Sequence, residues 1–254
     1  MIGKMLAKDP DLGYFEKLYV RIFGAPISGL RIRARRILPL IDTCARGNIL
    51  DAGCGSGIFT FEIAKRYPEV KVTGIDNSTI LFEKAAYISA KSGINNCSFK
   101  EQDILEMDYN EDFDLALCID NLEHIENDRK AIRNIYASLK KGGMGIFHVP
   151  GYYRRWLFFR KKVNFSVKGH VRPGYTMEEI TDKLKKEGFN VLESYYTYGF
   201  LETVTNNISY LITGAEKKNK YLYALVFPFL NIIAYFGRRS RPKWGAGVLV
   251  KAQK

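Results

Sequence analysis

An acid and three glycines stand together early in the chain, in the pattern D-x-G-x-G-x-G. Asp51 belongs to an apolar run, and Gly53, Gly55 and Gly57 follow it at alternate positions. Glycine lets the backbone turn sharply and approach a ligand closely because it has no β-carbon. Residues 58–67 look helical, so free N–H groups and the positive end of the helix dipole would face the same ligand. The pattern predicts a strand, a ligand-binding loop and a helix.

The glycine spacing does not fit a dinucleotide-binding loop. The G-x-G-x-x-G pattern would need its third glycine where Ile58 or Thr60 stands. The next predicted strand ends at Asp76, at the distance from the loop where an acid reaches a ribose hydroxyl in an open α/β sheet. Asp76 could instead cap the following helix, but Asn77 and Ser78 already suit that purpose. We assign Asp76 and Asn77 to the ligand site.

The D-x-G-x-G-x-G loop resembles that of the class I S-adenosylmethionine (SAM) dependent methyltransferases. In that family the loop holds the amino-acid end of the cofactor. The resemblance therefore implies SAM as the cofactor, and an α/β, Rossmann-like fold whose seven-stranded sheet has helices on both faces. The residues that it assigns to cofactor binding in this loop are Asp51, Gly53, Cys54, Gly55 and Gly57.

The third and fourth predicted strands end in further candidate residues. By the same resemblance, Asp103 would accept a hydrogen bond from the adenine amino group and Ile104 would pack on the ring. An acid facing water at a strand end is common, so Asp103 alone would indicate little. Asp120 ends the fourth strand, at the edge where ligands bind in such folds. We assign Asp120 to both cofactor binding and catalysis.

Asp120, Glu123 and His124 stand at i, i+3 and i+4, and would share one face if the segment is helical. The motif is similar to that of the quinone-biosynthesis O-methyltransferases, in which two glutamates and a histidine at this spacing hold a divalent metal. Here an aspartate replaces the first glutamate, which shortens the reach of the carboxylate. We therefore assign no metal ligands. His124 is expected to support the loop or to face the substrate.

The chain has three histidines, and two of them are candidates for proton transfer. His170 lies just before a helix with a capping box near Thr176, and resembles the position from which relatives reach into the acceptor pocket. It is our leading candidate for the general base, with His124 second. A hydrogen bond within the loop is the alternative role for His170. His148 stands mid-strand among apolar residues and is expected to be a core histidine.

Composition favours one cytoplasmic domain. The 254 residues, 46% of them hydrophobic, can bury one sizeable core. The four cysteines lie far apart, which favours neither a disulfide framework nor a cysteine metal site and indicates a reducing compartment. The first ten residues do not read as a signal peptide.

We predict one methyltransferase domain over residues 1–254, with four parts. They are a helical N-terminal cap (1–45), a SAM-binding core (46–150), a basic-aromatic lid (151–175) and an apolar, basic helical insert (201–244). The insert interrupts the two strands that close the sheet in the family.

The net charge of +12 is uneven. Residues 21–40 and 151–172 hold five and seven basic residues and no acid, interleaved with apolar residues. Such segments suit an anionic lipid surface, an acidic small molecule or a nucleic-acid backbone, or form a solvated face with no partner.

The insert contains sixteen residues without a charge, 221–236, with basic residues on both sides. A bilayer span needs about twenty residues, and Pro228 and Asn231 are expected to interrupt this run, so we predict no transmembrane helix. The segment would lie in the surface of an anionic membrane, or form two short helices that cover the acceptor pocket. Both can hold at once.

These patterns together predict a SAM-dependent methyltransferase that methylates a hydroxyl of a lipid, an isoprenoid or a lipid-linked sugar at the inner membrane face. A nucleic-acid methyltransferase is one alternative, but Ile119–Leu122 replaces the N/D-P-P-Y/F or Pro-Cys motif that the adenine-amino and cytosine-carbon enzymes need. A non-catalytic SAM-binding module is the other. The acids at 51, 76 and 103 argue against it.

Overall fold

The computed structural model describes residues 1–156, 160–164, 167, 169–214 and 219–254. The strands are β1 (Asn48–Ala52), β2 (Lys71–Asp76), β3 (Cys97–Glu101), β4 (Phe113–Ile119), β5 (Leu139–Pro150), β6 (Tyr153–Trp156), β7 (Arg160–Val163), β8 (Asn190–Thr197) and β9 (Gly247–Gln253). The α-helices are α1 (Tyr14–Phe23), α2 (Ser28–Ile41), α3 (Ile58–Arg66), α4 (Thr79–Ser92), α5 (Asp128–Ser138), α6 (Met177–Lys186), α7 (Phe200–Thr213) and α8 (Lys220–Gly237).

Seven strands form one sheet in the order β3-β2-β1-β4-β5-β9-β8. The first five strands are parallel, and β9 runs antiparallel to both β5 and β8. The chain leaves β1 in one direction for β2 and later returns to its other side with β4, which makes a switch point where open α/β sheets bind ligands. The predicted α/β, Rossmann-like, seven-stranded fold is confirmed.

Both faces of the sheet are covered, because successive side chains of a strand point to opposite faces. Leu50 of β1 packs in a cluster with α5 and α6, whereas the adjacent Ile49 packs in a second cluster with α2 and α3. Strands that are buried on both faces need almost continuous apolar sequence, as β4 has. The sheet is therefore a rigid support for the loops at its carboxyl edge.

The cap and the insert, far apart in sequence, pack together as one helical unit made of α1, α2, α7 and α8. Arg36 of α2 forms a buried ion pair of 2.6 Å with Glu202 of α7. Ser28 Oγ at the start of α2 lies 2.7 Å from Ser209 Oγ of α7 and 3.1 Å from the Tyr223 hydroxyl of α8. The helical character of both segments is as predicted.

Helix α8 runs unbroken through Pro228, so the expected interruption there is wrong. Proline lacks the N–H that would bond the carbonyl four residues earlier, at Ala224. The Tyr19 hydroxyl of α1 donates to that carbonyl instead, at 2.6 Å. Asn231 is accommodated because Arg35 donates to its carbonyl and its side-chain oxygen.

By length and composition alone, α8 could cross a membrane. The mean hydropathy of its 18 residues is 1.3, and 22% of them are buried. Core helices of soluble proteins meet the same criterion. The absence of a transmembrane helix stays a prediction.

The predicted lid contains an antiparallel hairpin of β6 and β7, in which Tyr153 pairs with Val163. Beyond it, the Tyr152 N–H donates to the Tyr175 carbonyl at 2.8 Å, which ties the hairpin to the residues before α6. Several residues of the predicted lid and insert lie outside the described part of the chain: Leu157, Phe158, Phe159, Lys168, Lys217 and Lys218.

Candidate active site

The glycine loop leaves one position of its backbone open. Gly53, Gly55 and Gly57 all have positive φ, of +77°, +53° and +74°. A β-carbon added to Gly53 would lie 1.9 Å from Asn121 Nδ2, and one added to Gly57 would lie 2.6 Å from the Phe99 ring. One added to Gly55 would meet no atom within 4 Å. Gly55 therefore faces the space in which a ligand would lie against the loop.

Asp51, near the end of β1, fixes the helix that follows the glycine loop. Its carboxylate is buried and accepts a hydrogen bond of 2.6 Å from Thr60 Oγ1, which ties the first turn of α3 to β1. Burial raises the pKa of Asp51 to about 6, although the Thr60 hydrogen bonds act in the opposite direction. Beside it, the backbone N–H of Cys54 donates to the Ile75 carbonyl at 2.9 Å.

Asp76 lies at the end of β2, against the open part of the loop. Its Oδ2 accepts from the Gly55 N–H at 2.8 Å and its Oδ1 accepts from the Ser78 N–H at 3.0 Å. Each carboxylate oxygen keeps a further lone pair, so a ribose diol could still donate to both. Ser78 caps α4, as predicted, and Asn77 is exposed beside the acid.

Asp103 and Ile104 begin a short 3-10 helix after β3. Asp103 Oδ1 accepts from the Leu105 N–H at 2.8 Å, which fixes the carboxylate at the strand end. Ile104 is almost fully buried within the core. Their predicted contacts with adenine stay predictions.

Asp120 stands at the centre of a charged network at the end of β4. Its Oδ2 lies 2.9 Å from Arg33 Nε, and its Oδ1 lies 2.5 Å from His148 Nδ1. Burial raises the pKa of Asp120, but Arg33 and His148 together bring it below the ordinary value. His148 is buried and its Nε2 lies 3.0 Å from Thr197 Oγ1, so the prediction of a core histidine is confirmed.

The expectation that Asp120, Glu123 and His124 share a helix face is wrong. Only Leu122–His124 form a helical turn, a short 3-10 helix, and Asp120 precedes it with a φ of +49°. The left-handed backbone lets the Asp120 carboxylate turn toward Arg33 and His148. Both of its oxygens are engaged there, so its position favours a positioning role over proton transfer.

Glu123, His124 and His170 come together instead. The His124 and His170 rings pack edge to face with centroids 4.5 Å apart, and His124 Nδ1 lies 3.0 Å from the Gly169 carbonyl oxygen. Among the described residues, the buried Glu123 Oε2 and His170 Nδ1 have no hydrogen-bond partner. Burial, with a smaller effect of His124, lowers the pKa of His170. Burial raises the pKa of Glu123 well above its usual range.

The same three side chains have the donor atoms of a metal site. One ligand atom from each lies within 4.8 Å of the others. Imidazole nitrogen and carboxylate oxygen are common ligands of Zn²⁺ and similar divalent cations, and the unpartnered Glu123 Oε2 and His170 Nδ1 are available for such bonds. The donor set therefore fits a divalent cation, with His170 in the place that the sequence motif gives to Asp120.

Comparison with known proteins agrees with this geometry. Residues 45–227 match the family described as a methyltransferase domain, which is more than half of the chain. The chain belongs to this methyltransferase family. The class I SAM-dependent assignment made from the glycine loop is thus confirmed, and SAM is the cofactor of this methyltransferase.

Curated relatives of the methyltransferase are distant. Malonyl-[acyl-carrier protein] O-methyltransferase of Bacillus cereus is 23% identical over 184 residues, which cover 69% of this chain and 67% of the relative. Ubiquinone biosynthesis O-methyltransferase of Coxiella burnetii is 33% identical over 101 residues, or 39% of this chain and 42% of the relative. The match thus spans less than half of the quinone enzyme.

Solved structures share the fold of the methyltransferase. The [4+2]-cyclase SpnF aligns with a TM-score of 0.62 at 20% identity, over 87% of this chain and 81% of SpnF. Phosphoethanolamine N-methyltransferase 2 of Haemonchus contortus, solved in complex with SAM, aligns with a TM-score of 0.61 at 16% identity, over 96% of this chain and 60% of that chain.

Proposed function

We propose that this methyltransferase transfers the methyl group of SAM to a hydroxyl of a lipid, an isoprenoid or a lipid-linked sugar. It would be a cytoplasmic protein that lies peripherally on the inner face of the membrane. The observation that carries the proposal is the His124–His170 pair beside Glu123, at the carboxyl end of β4. This is the edge of the sheet where the cofactor loop also ends.

The pair suits removal of a proton from a hydroxyl. Methyl transfer from a sulfonium is an in-line displacement, so the protein mainly aligns the acceptor oxygen with the methyl carbon and excludes water. A hydroxyl must also lose its proton. Because its pKa is lowered, His170 is neutral at pH 7 and can accept that proton at a ring nitrogen. The His124 ring packs against the His170 ring, and the contact of His124 Nδ1 with the Gly169 carbonyl fixes the orientation of His124.

A divalent cation would be held by Glu123, His124 and His170, and would supply a positive charge that favours ionisation of the acceptor hydroxyl. His170 is both the proposed base and one of these three ligands, so its imidazole serves in only one of the two roles at a time. Either role requires its imidazole.

The acceptor class is inferred from the surroundings of the site. A cleft of about 360 Å³ at the carboxyl end of β8 is lined by Tyr198, Phe200 and Trp244 together with Arg241 and Lys243. Tyr198 connects this cleft to the site, because its hydroxyl accepts a hydrogen bond from Arg33, which pairs with Asp120. Aromatic and basic side chains suit an apolar molecule with an anionic or hydroxylated head. The names of the quinone-biosynthesis and malonyl-carrier relatives describe O-methylation, which favours oxygen as the methylated atom.

The test is the pair of variants His170→Ala and His170→Gln, assayed with a polyprenylated phenol and a glycolipid in detergent. Loss of the base should lower kcat by roughly a hundredfold or more, while the Kd for SAM, measured by calorimetry, stays within about twofold. The wild-type rate should rise with pH through a value below 6.5, the ordinary pKa of histidine, and level off above it, because the neutral imidazole is the active form.

Full turnover by either variant would exclude His170 as the base. Methylation of amine or carboxylate acceptors, with none of hydroxyl acceptors, would overturn the acceptor class while leaving the methyltransferase assignment intact.

A further inference from the structure

Helix α8 is apolar on both of its faces. Its inner face, with Tyr223, Phe227 and Leu230, is buried against α1 and α7. A surface helix normally has polar residues on the opposite side. The outward side of α8 instead carries large apolar side chains that are each more than half exposed: Tyr221, Leu222, Leu225, Phe229, Ile232 and Phe236.

Helix α1 extends this surface with a second apolar stripe. Tyr14, Phe15, Leu18 and Ile22 are exposed along one side of it, and Phe15 is 82% exposed. The two helices are joined directly, because Glu16 of α1 lies 3.3 Å from Lys220 of α8 and the Tyr19 hydroxyl donates to the Ala224 carbonyl of α8. We call the outward residues of α1 and α8 together the apolar face.

The charges around the apolar face are almost all positive. Residues 12–41 and 219–254 contain one acid, Glu16, which is paired with Lys220. Arg21 on α1 and Arg238 and Arg239 after α8 supply basic groups beside the apolar residues. Tyr221 and Tyr235 stand near the two ends of α8, and tyrosine is common at the depth of lipid headgroups. Charge and apolar character together match an anionic bilayer.

We infer that the apolar face of α1 and α8 inserts into the headgroup region of an anionic membrane, with both helices in the plane of the bilayer. The inference rests on the proposed function and deepens it, since it names the surface on which a lipid acceptor would be met. The sequence alone predicts a membrane-surface position for the insert, and gives an anionic lipid surface as one of several partners for residues 21–40 and 151–172, but it does not single out α1.

The contacts of the inner face require α8 to lie in the plane. Arg36 Nη2 donates to the Gly237 carbonyl at 3.0 Å, and the Ser28 N–H donates to the Tyr223 hydroxyl at 3.3 Å. A helix that crossed the bilayer would have to leave these partners, and the buried Arg36 and Glu202 would lose their packing. Shallow insertion buries the outward side and keeps every one of these contacts.

A second copy of the chain is a poorer occupant of the face. A two-fold contact pairs the same surface on both subunits, so Arg21, Arg238 and Arg239 would meet a surface of the copy that is also basic. Anionic lipid headgroups would neutralise them instead.

The test is flotation of the full chain with vesicles of phosphatidylcholine alone and of phosphatidylcholine mixed with phosphatidylglycerol, without SAM or acceptor. We expect binding to the anionic vesicles that weakens as salt rises. Leu225→Ser/Phe229→Ser should lower the partition coefficient about a hundredfold, and Phe15→Ser/Leu18→Ser by a similar factor, since each removes several buried carbon groups. Arg21→Gln/Arg239→Gln should lower it about fivefold per charge, and for the anionic vesicles only.

Leu192→Ser is the matched control, because Leu192 is an equally apolar, exposed residue on β8, outside the apolar face. It should bind vesicles as the wild type does. Circular dichroism and SAM affinity show whether each variant is folded. Equal flotation of the wild type and the two serine variants would overturn the inference, as would a dimer that Leu225→Ser/Phe229→Ser dissociates in the absence of vesicle binding. Neither outcome depends on catalysis, so the proposed transfer of a methyl group to a hydroxyl is tested separately, by the His170 variants.

Discussion

Three glycines of one loop share a left-handed backbone but meet different surroundings. Glycine is required at 53 and 57 because the Asn121 and Phe99 side chains occupy the space that a β-carbon would need. Gly55 has no such neighbour, although its N–H is held by Asp76. The requirement for glycine at 55 therefore comes from its φ and from the ligand.

Gly55→Ala and Gly93→Ala separate these two effects. Both glycines have positive φ and no atom within 4 Å of an added β-carbon, but Gly93 ends α4, away from the glycine loop. Each alanine should lower the free energy of unfolding by about 1 to 2 kcal/mol through the left-handed backbone. Only Gly55→Ala should also weaken SAM binding, by roughly tenfold, as measured by calorimetry. Equal SAM affinity of the two variants would mean that the cofactor does not lie against Gly55.

The sequence indicates the glycine loop and the acids at the strand ends more directly than it indicates the contacts among the charged groups after β4. Gly55 and Asp76 could be placed from the sequence because Gly55 lies in the loop after β1 and Asp76 ends β2, and both strands are visible as apolar runs. Arg33 could not, since its partner Asp120 lies 87 positions further along the chain and only the packing of α2 on the sheet brings them together. His170 was predicted as a base, but its contact with His124 and Glu123 depends on the turn of the loop before α6.

At the scale of elements, the cap and the insert are held together by buried polar contacts. Arg36 donates to both carboxylate oxygens of Glu202, and also to the Gly237 carbonyl at the end of α8. Glu202 in turn accepts from the Gly199 N–H at the start of α7, at 2.9 Å. One ion pair thus fixes α2 and both helices of the insert.

Removing one partner of this ion pair should lower the free energy of unfolding more than removing both. Arg36→Leu leaves the Glu202 carboxylate buried without its cation and should destabilise the protein by about 3 to 5 kcal/mol. Arg36→Leu/Glu202→Leu should recover part of that loss, because no charge is then left buried. Urea unfolding of the two single variants and the double variant gives the coupling energy. Additive losses would show that the pair does not join the two segments energetically.

Helices were easier to predict than the hairpin that follows β5. The break at Gly24 and the periodic apolar residues of α1 and α2 mark both helices of the cap. In contrast, Tyr153–Trp156 and Arg160–Val163 lack the regular alternation of a half-buried strand, so sequence gave no sign of β6 and β7. The continuity of α8 was missed because the group that satisfies its free carbonyl, Tyr19, is in another part of the chain.

On the scale of the whole molecule, cofactor binding and membrane binding are assigned to different surfaces. The residues predicted to bind the cofactor lie at or just after the carboxyl ends of β1, β2, β3 and β4. The apolar face belongs to α1 and α8. Helix α8 packs on α1, α2 and α7, and in the described part of the chain neither α1 nor α8 shares a hydrophobic cluster with the central strands. The cofactor can therefore be studied without lipid, and lipid binding without cofactor.

Binding of SAM should stabilise the whole fold. A ligand that binds only the folded state, at a hundred times its Kd, adds about 2.7 kcal/mol to the free energy of unfolding. For a chain of 254 residues this raises Tm by roughly 5 to 10 °C. NAD should give no shift, since the loop lacks the glycine spacing for a dinucleotide. Scanning calorimetry with each ligand measures both, and a larger shift with NAD would contradict the cofactor assignment.

The Arg36–Glu202 ion pair also limits which segments can be exchanged between this enzyme and its relatives. A chimera that received a foreign segment in place of residues 201–244 would keep Arg36 but lose Glu202, and the Tyr19 hydroxyl would lose the carbonyl that Pro228 leaves free. Residues 1–45 and 201–244 are therefore one module for exchange, despite the 155 residues that separate them. An exchange of this helical module between such enzymes requires both segments from the same donor.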